Sequence, residues 1–414
     1  MTPCLARGQT HLRPRSMDEA PVHAEIILAG PGDQLYSLFG HVAVYVNDRG
    51  NETVYDLGAT RDLGGGGLIN QLLGRADFLG EMKNFNRLVS HWKQQDRDVF
   101  RYPLRLSQGQ LEAFIRELKS RTNAQGGSYI YDPMRENCAI QVRRSLDIAL
   151  DGALSRTSSL QAPSGERFRD FVRIGYAQQT LISLGIELFV GVTLDVPRSR
   201  WELGYRPAEM VDQLKQVKIQ GHSIIGEQQV IHRRFAPPPI GGWRSLLPPI
   251  LTSIIALFLV GLSLPKQKNT QRQWMVWTSL RLSSALMAFL GMFALFFALK
   301  SAWPELRSSW MLLLVSPLDG MLLSLNRRSS FNTLRLMRLY LVLRGGMSVG
   351  LVVFIGFILG GWPPVSALIL SMGAWWACFL SISVIESKLI QTHQDQLVSP
   401  VKMEEDELSW AELL

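Results

Sequence analysis

Cys138 has the context of a reactive thiol. It follows Arg135-Glu136-Asn137 in a polar stretch, and Val142, Leu146, Ala149 and Leu150 continue with helical spacing. Asn137 is therefore expected as an N-cap and Cys138 in the first helical turn. A helix N-terminus favours the thiolate, and an imidazole within reach makes such a thiol a nucleophile at neutral pH. The candidate base is His41, far upstream after Ser37-Leu38-Phe39-Gly40. A third group must orient the imidazole, and Asp56 or Tyr55 could do so. Strand alternation puts these two on opposite faces, so only one can serve. The oxyanion of an acyl-transfer intermediate would meet the Cys138 backbone N–H, assisted by Ser37 or Tyr131, with Asn137 beside the thiol. A lone cysteine and a strand histidine are more often structural, but Glu136, Asn137, Arg143 and Arg144 mark a polar helix end rather than a core position.

These residues need a sheet and a helix to bring them together. Strands are expected at 24–29, 41–46 and 52–57, with hairpin-turn chemistry in Asn47-Asp-Arg-Gly-Asn51, and a further strand at 98–106. Alternation places His41, Ala43 and Tyr45 on one face and Val42, Val44 and Val46 on the other. Ser107 and Gln110 read as a capping box opening an amphipathic helix with Leu111, Phe114, Ile115 and Leu118 inward. Gly64-Gly-Gly-Gly67 lacks a following Lys-Ser/Thr and is expected as a flexible loop rather than a phosphate cradle. His23 with Glu25 lacks zinc-site company, His91 lies in a basic polar stretch, and Asp132-Pro133 reads as a turn.

The chain divides sharply in hydropathy. Its 414 residues are 47% hydrophobic and 19% charged, and the mean hydropathy of +0.08 is high for a wholly soluble protein. Apolar runs begin near Leu246. Residues 1–21 read as a disordered segment, 22–235 as a thiol catalytic domain, 236–245 as a Pro/Gly linker, 246–386 as a transmembrane domain and 387–414 as a cytoplasmic tail. Five spans are expected, at 246–264, 275–299, 309–325, 337–360 and 365–385, each near the roughly 17–25 residues that cross a bilayer. Pro317 and Asp319 interrupt the third. Asp319, Arg281 and Arg344 are read as pairing or interfacial groups.

The net charge of +8 is topological rather than a nucleic-acid footprint. Lys266, Lys268, Arg272, Arg327, Arg328, Arg335, Arg338, Lys388 and Lys402 fall on one side of a five-span chain, which makes the C-terminus cytoplasmic and puts the Cys138 domain outside. Export would call for a leader, and residues 1–20 show no apolar core of one. That leaves either a start upstream of Met1 or a domain on the cytoplasmic side. The three cysteines, Cys4, Cys138 and Cys378, give neither a disulfide framework nor a CxxC metal site. No cofactor or metal is expected.

Ser37-Leu-Phe-Gly-His41-Val-Ala-Val-Tyr-Val46, Val54-Tyr-Asp-Leu-Gly58, Tyr129-Ile-Tyr-Asp132 and Asn137-Cys138, with Leu188-Phe-Val-Gly191, Asp195 and Trp201 to Pro207 further on, resemble the N-terminal periplasmic domain of the Lnb family of bacterial lipoprotein N-acyltransferases over about 22–214. The order of strand histidine before helix cysteine is similar to the circularly permuted papain-like, NlpC-related fold. The resemblance implies an α+β catalytic domain followed by an all-α transmembrane domain in the bacterial inner membrane, facing the periplasm. It implies a phospholipid acyl donor, a thioester on Cys138 and a lipoprotein acceptor amine, with His41 moving the proton. Two rivals keep other functions open: an NlpC-like cell-wall amidase or endopeptidase, and a non-catalytic envelope binding module.

Overall fold

The computed structural model describes residues 22–60, 65–123, 127–219, 221–237, 241–264 and 270–398. The expected N-terminal disordered segment lies outside them. Strands β1 (His23–Ala29), β2 (His41–Asp48), β3 (Asn51–Ala59), β4 (Asp77–Lys83), β5 (Val99–Pro103) and β6 (Ser128–Ile130) form an antiparallel sheet with a seventh strand, Gln229–His232. The spatial order is 229–232, β5, β1, β2, β3, β4, β6. The hairpin joining β2 to β3 forms at the expected turn: Arg49 and Gly50 take positive φ, and the Asn47 side chain accepts from the Gly50 N–H at 2.7 Å.

Alternation sorts the sheet into two faces. Val42, Val44, Val46, Tyr55 and Leu57 pack against helices α3 (Gln108–Arg121) and α4 (Cys138–Ala149), whereas Ala43, Tyr45 and Val54 pack on α2 (Phe85–Gln94) through Leu88 and Trp92. The Ser107–Gln110 capping box opens α3 as expected. Gly65 to Gly67, expected within a loop, instead open helix α1 (Gly65–Leu72), despite the poor helix propensity of glycine. Helices α5 (Phe168–Tyr176), α6 (Thr180–Phe189) and α7 (Pro207–Gln216) complete the domain.

Four helices are long and apolar enough to cross a membrane among the described residues. They are α8 (Leu247–Ser263), α9 (Thr270–Lys300), α10 (Phe331–Leu359) and α11 (Val365–Val398). The last extends through residues expected in a cytoplasmic tail. The expected third span at 309–325 is not a continuous helix. It is a short turn, Met311–Leu314, an extended Ser316, and a 3-10 stretch, Pro317–Ser324. Pro317 cannot donate to a preceding carbonyl, and the Asp319 carboxylate takes the Ser316 N–H (2.7 Å) and the Tyr340 hydroxyl (2.6 Å). The first of these bonds satisfies a backbone N–H where the helix breaks, and Asp319 and Leu322 are buried against the bundle. The stretch lies tightly along α9 at Gly291, where a Cβ would come within 2.6 Å of Ser316.

At the domain end, Ser301 after α9 donates to the Leu72 carbonyl (2.7 Å) and Gly361 after α10 abuts Asp195. At the far end Arg338, early in α10, pairs with Glu386, late in α11.

Domain and bundle meet through a polar seam. Asp195, 2% exposed, accepts from Arg169 (2.5 and 2.9 Å), itself 2% exposed, and from the Trp310 indole N–H (2.8 Å). Truncating one side of such a buried pair strands a charge. Asp195→Ala is expected to cost about 3 kcal/mol of stability, read as a lower thermal midpoint of the detergent-solubilised protein, with Asp195→Asn falling in between.

Candidate active site

The site sits where β2 and β3 run out toward the N-terminus of α4. Gly40 adopts φ +84°, and a Cβ there would lie 2.8 Å from the Ala29 carbonyl, so glycine lets the chain turn tightly into β2. His41 is the first residue of that strand, opposite Ala29, with its ring edge-on to Trp92 at 5.8 Å. Asn137 caps α4: its Oδ1 accepts from the Ile140 N–H (3.0 Å), and its Nδ2 donates to the carbonyls of Pro133 (2.8 Å) and Tyr205 (2.9 Å). Cys138 is thereby held half-buried in the first turn, where backbone N–H groups have no helical partner.

Gly58 makes the meeting possible. A Cβ on it would lie 2.8 Å from Cys138 Cβ and 2.9 Å from His41 Cε1, so ring and thiol converge on the space a side chain would fill. Gly58→Ala is expected to lower turnover by about tenfold to a hundredfold, since sub-ångström displacement of reacting groups has costs of that order; steady-state kinetics on folded protein measure it.

Asp56 is the residue that meets the imidazole. The buried carboxylate accepts from His41 Nε2 (2.8 Å) and the Gly58 N–H (3.1 Å) on Oδ1, and from Lys83 Nζ (2.7 Å) on Oδ2. With Nε2 engaged, Nδ1 is left to exchange a proton with the thiol. Tyr55, the alternative, points to the opposite face and is buried among Val42, Val44 and Leu57, as the period of two requires.

Electrostatics favour an ion pair. Burial opposes the charged imidazolium, but Asp56 and the Cys138 thiolate outweigh it and raise His41 to about 10. Burial likewise opposes the thiolate, yet His41 and a hydrogen bond from the Val42 backbone bring Cys138 below its ordinary value. Burial is outweighed once more at Asp56, whose carboxyl His41 and Lys83 hold well below the usual range.

The remaining expected residues divide. Tyr131 stacks on Phe78 at 4.2 Å, and its hydroxyl is kept protonated by burial and by the nearby Tyr176 and Cys138. Ser37 gives its hydroxyl hydrogen to the Gln34 carbonyl (2.8 Å) and locks the turn before His41. Asn137 works as a cap, with both side-chain ends committed to backbone.

Lys83, Gly58, Trp92 and Val42 were not singled out from the sequence. Lys83 ends β4, whose Asp-Phe-Leu-Gly-Glu-Met-Lys sequence has no clear alternation, and its role depends on the pairing of Asp56 with Glu81 across strands.

The geometry defines a class: a membrane-seated mixed α/β domain bearing a thiol–imidazole–carboxylate constellation at a helix N-terminus. Residues 11–173 match the family model of the Lnb N-terminal periplasmic domain. The match holds all three constellation residues and ends within α5. No curated protein and no solved structure matches the chain.

Proposed function

We propose that the protein is an acyltransferase of the bacterial inner membrane. In this reading it moves a fatty acyl group from phospholipid, through a thioester on Cys138, to the α-amine of a diacylglyceryl-cysteine lipoprotein. The observation that carries the reading is the Cys138–His41–Asp56 arrangement beside the domain end of an apolar bundle. The domain faces the periplasm, and Arg327, Arg328 and Arg338 at the opposite end mark the cytoplasmic side by the positive-inside rule. The order of strand histidine and helix cysteine fits a permuted papain-like catalytic domain.

The steps follow from the residues present. Cys138 thiolate attacks the ester carbonyl, and the oxyanion meets first-turn N–H groups and the Tyr131 hydroxyl. Collapse breaks the ester C–O bond, and the departing alkoxide takes the proton from His41. The acceptor amine then attacks the thioester, giving its proton to His41 as the C–S bond breaks and the thiolate returns. Asp56 holds the ring throughout and balances its charge, while Lys83 keeps Asp56 ionised.

The test uses purified protein in nanodiscs with a phospholipid carrying an alkyne-tagged acyl chain. The expected result is a hydroxylamine-sensitive tag on Cys138 that transfers to an added diacylglyceryl-cysteine peptide. Folded protein that never acquires the tag, or that cleaves cell-wall peptides instead, refutes the proposal.

A further inference from the structure

A cavity of about 390 Å3 lies between β3, β4, β6 and the ends of α3 and α4. Its lining includes sequence neighbours of both halves of the site. Leu57 precedes Gly58 on β3, and Glu136 and Gln141 flank Cys138, one before the helix and one a turn into it. One wall is a row of polar side chains. Arg121 donates to Gln141 (2.7 Å), Gln141 donates to Glu136 (2.8 Å), and Glu136 accepts from Arg144 (3.1 Å). Arg121 Nε is buried with no hydrogen-bond partner, and an unmet buried donor is costly until a ligand oxygen supplies the acceptor.

The opposite wall is formed by β6. All three residues of β6 line the cavity, preceded by Gly127. β6 is the last strand of the sheet, paired with β4 on one edge and, among the described residues, with no strand on the other. An edge strand presents alternating N–H and C=O groups that an extended chain can pair with, its side chains alternating in and out. A free strand edge facing charged and amide side chains suits a polypeptide and does not suit an acyl chain, which would strip those groups of water without replacing their bonds.

We infer that this cavity is the acceptor's peptide site, where the residues following the acceptor cysteine add to β6 as an extended strand. The inference rests on the acyltransfer reading in taking the occupant to be the acceptor. Bound in this way, a chain pairs with β6 while its N-terminal amine lies toward Cys138, and a peptide carbonyl meets Arg121 Nε. Recognition then falls mainly on backbone, so acceptors of differing sequence are served by one site.

The experiment uses full-length protein in nanodiscs and an N-acetylated diacylglyceryl-cysteine hexapeptide with a benzophenone at its third residue, so that capture needs no chemistry at Cys138. Cross-links are expected on residues 127–130 or on Arg144. N-methylating two peptide amides, which deletes the strand hydrogen bonds, is expected to lower capture by about tenfold or more. Ser128→Trp, which fills the cavity from an exposed position, should lower capture and amide formation equally while leaving the phospholipid-derived thioester at its normal level. Cross-links elsewhere, or capture indifferent to N-methylation in unaltered protein, overturn the site. Failure of the unaltered enzyme to form a thioester refutes the acyltransfer reading instead, and the cross-link map still decides the peptide site.

Discussion

Replacing Cys138 with alanine or serine removes the thioester and, with it, transfer, by about a thousandfold or more. The size follows from the division of labour. In the proposed mechanism the thiolate stores the acyl group between two half-reactions, and neither His41 nor Asp56 can take that place, so no partial route through the same geometry survives. Serine is the more informative variant, because its hydroxyl fits the first turn but has a far higher pKa, so it stays protonated and is a poor nucleophile while Asp56 still pairs with His41. The measurement is tag incorporation and amide product with folded variant in nanodiscs. The control is Cys378→Ala: Cys378 is buried in the bundle, with Sγ 3.6 Å from Ser284 Oγ, and its loss should leave both half-reactions intact. Transfer surviving in Cys138→Ser would sink the covalent mechanism.

Asp56→Asn should lower turnover by about 10²- to 10⁴-fold while leaving the fold in place, the range expected when the carboxylate orienting a catalytic histidine becomes an amide. Its second signature is in pH. Asp56 is the largest of the influences that raise His41. Without it the imidazolium deprotonates at lower pH, the thiolate loses its counterion, and the pH profile of iodoacetamide alkylation at Cys138 moves upward. The sign in stability is opposite to that of a carboxylate pair. His41 rises on folding from 6.5 to about 10, so the stability its charge contributes is complete below the lower value and is lost as pH climbs through the upper one. The unaltered protein should therefore lose thermal stability across that window, and Asp56→Asn should lose less. An unchanged alkylation profile would mean that Asp56 does not govern the pair.

How far the site could be read in advance depended on how local each signal is. The cap at Asn137 and the alternation that puts His41 and Val42 on opposite faces are fixed within a few residues, and both take the expected form. The same period excludes Tyr55 once the burial of the α4 face is known. Lys83 and Gly58 lacked such signals. One acts across a strand pair with a register shift after Asp56; the other acts only through what its missing side chain leaves open. The third apolar run shows the limit of hydropathy: composition makes 309–325 long enough to span, but Pro317 and the Asp319 bonds to Ser316 and Tyr340 turn it into a broken segment packed on α9.

By itself, then, the sequence determined the two-part organisation, the sheet's facing pattern, the helix start that carries Cys138 and the identity of its basic partner. Each of these follows from short-range periodicity, capping or bulk hydropathy. Only the tertiary structure decided that Asp56 rather than Tyr55 meets His41, that Lys83 holds Asp56, that Gly58 makes room for ring and thiol, and that the bundle binds the domain through Asp195. Those are contacts between residues far apart in the chain, set by strand register and close packing, and no local pattern encodes them.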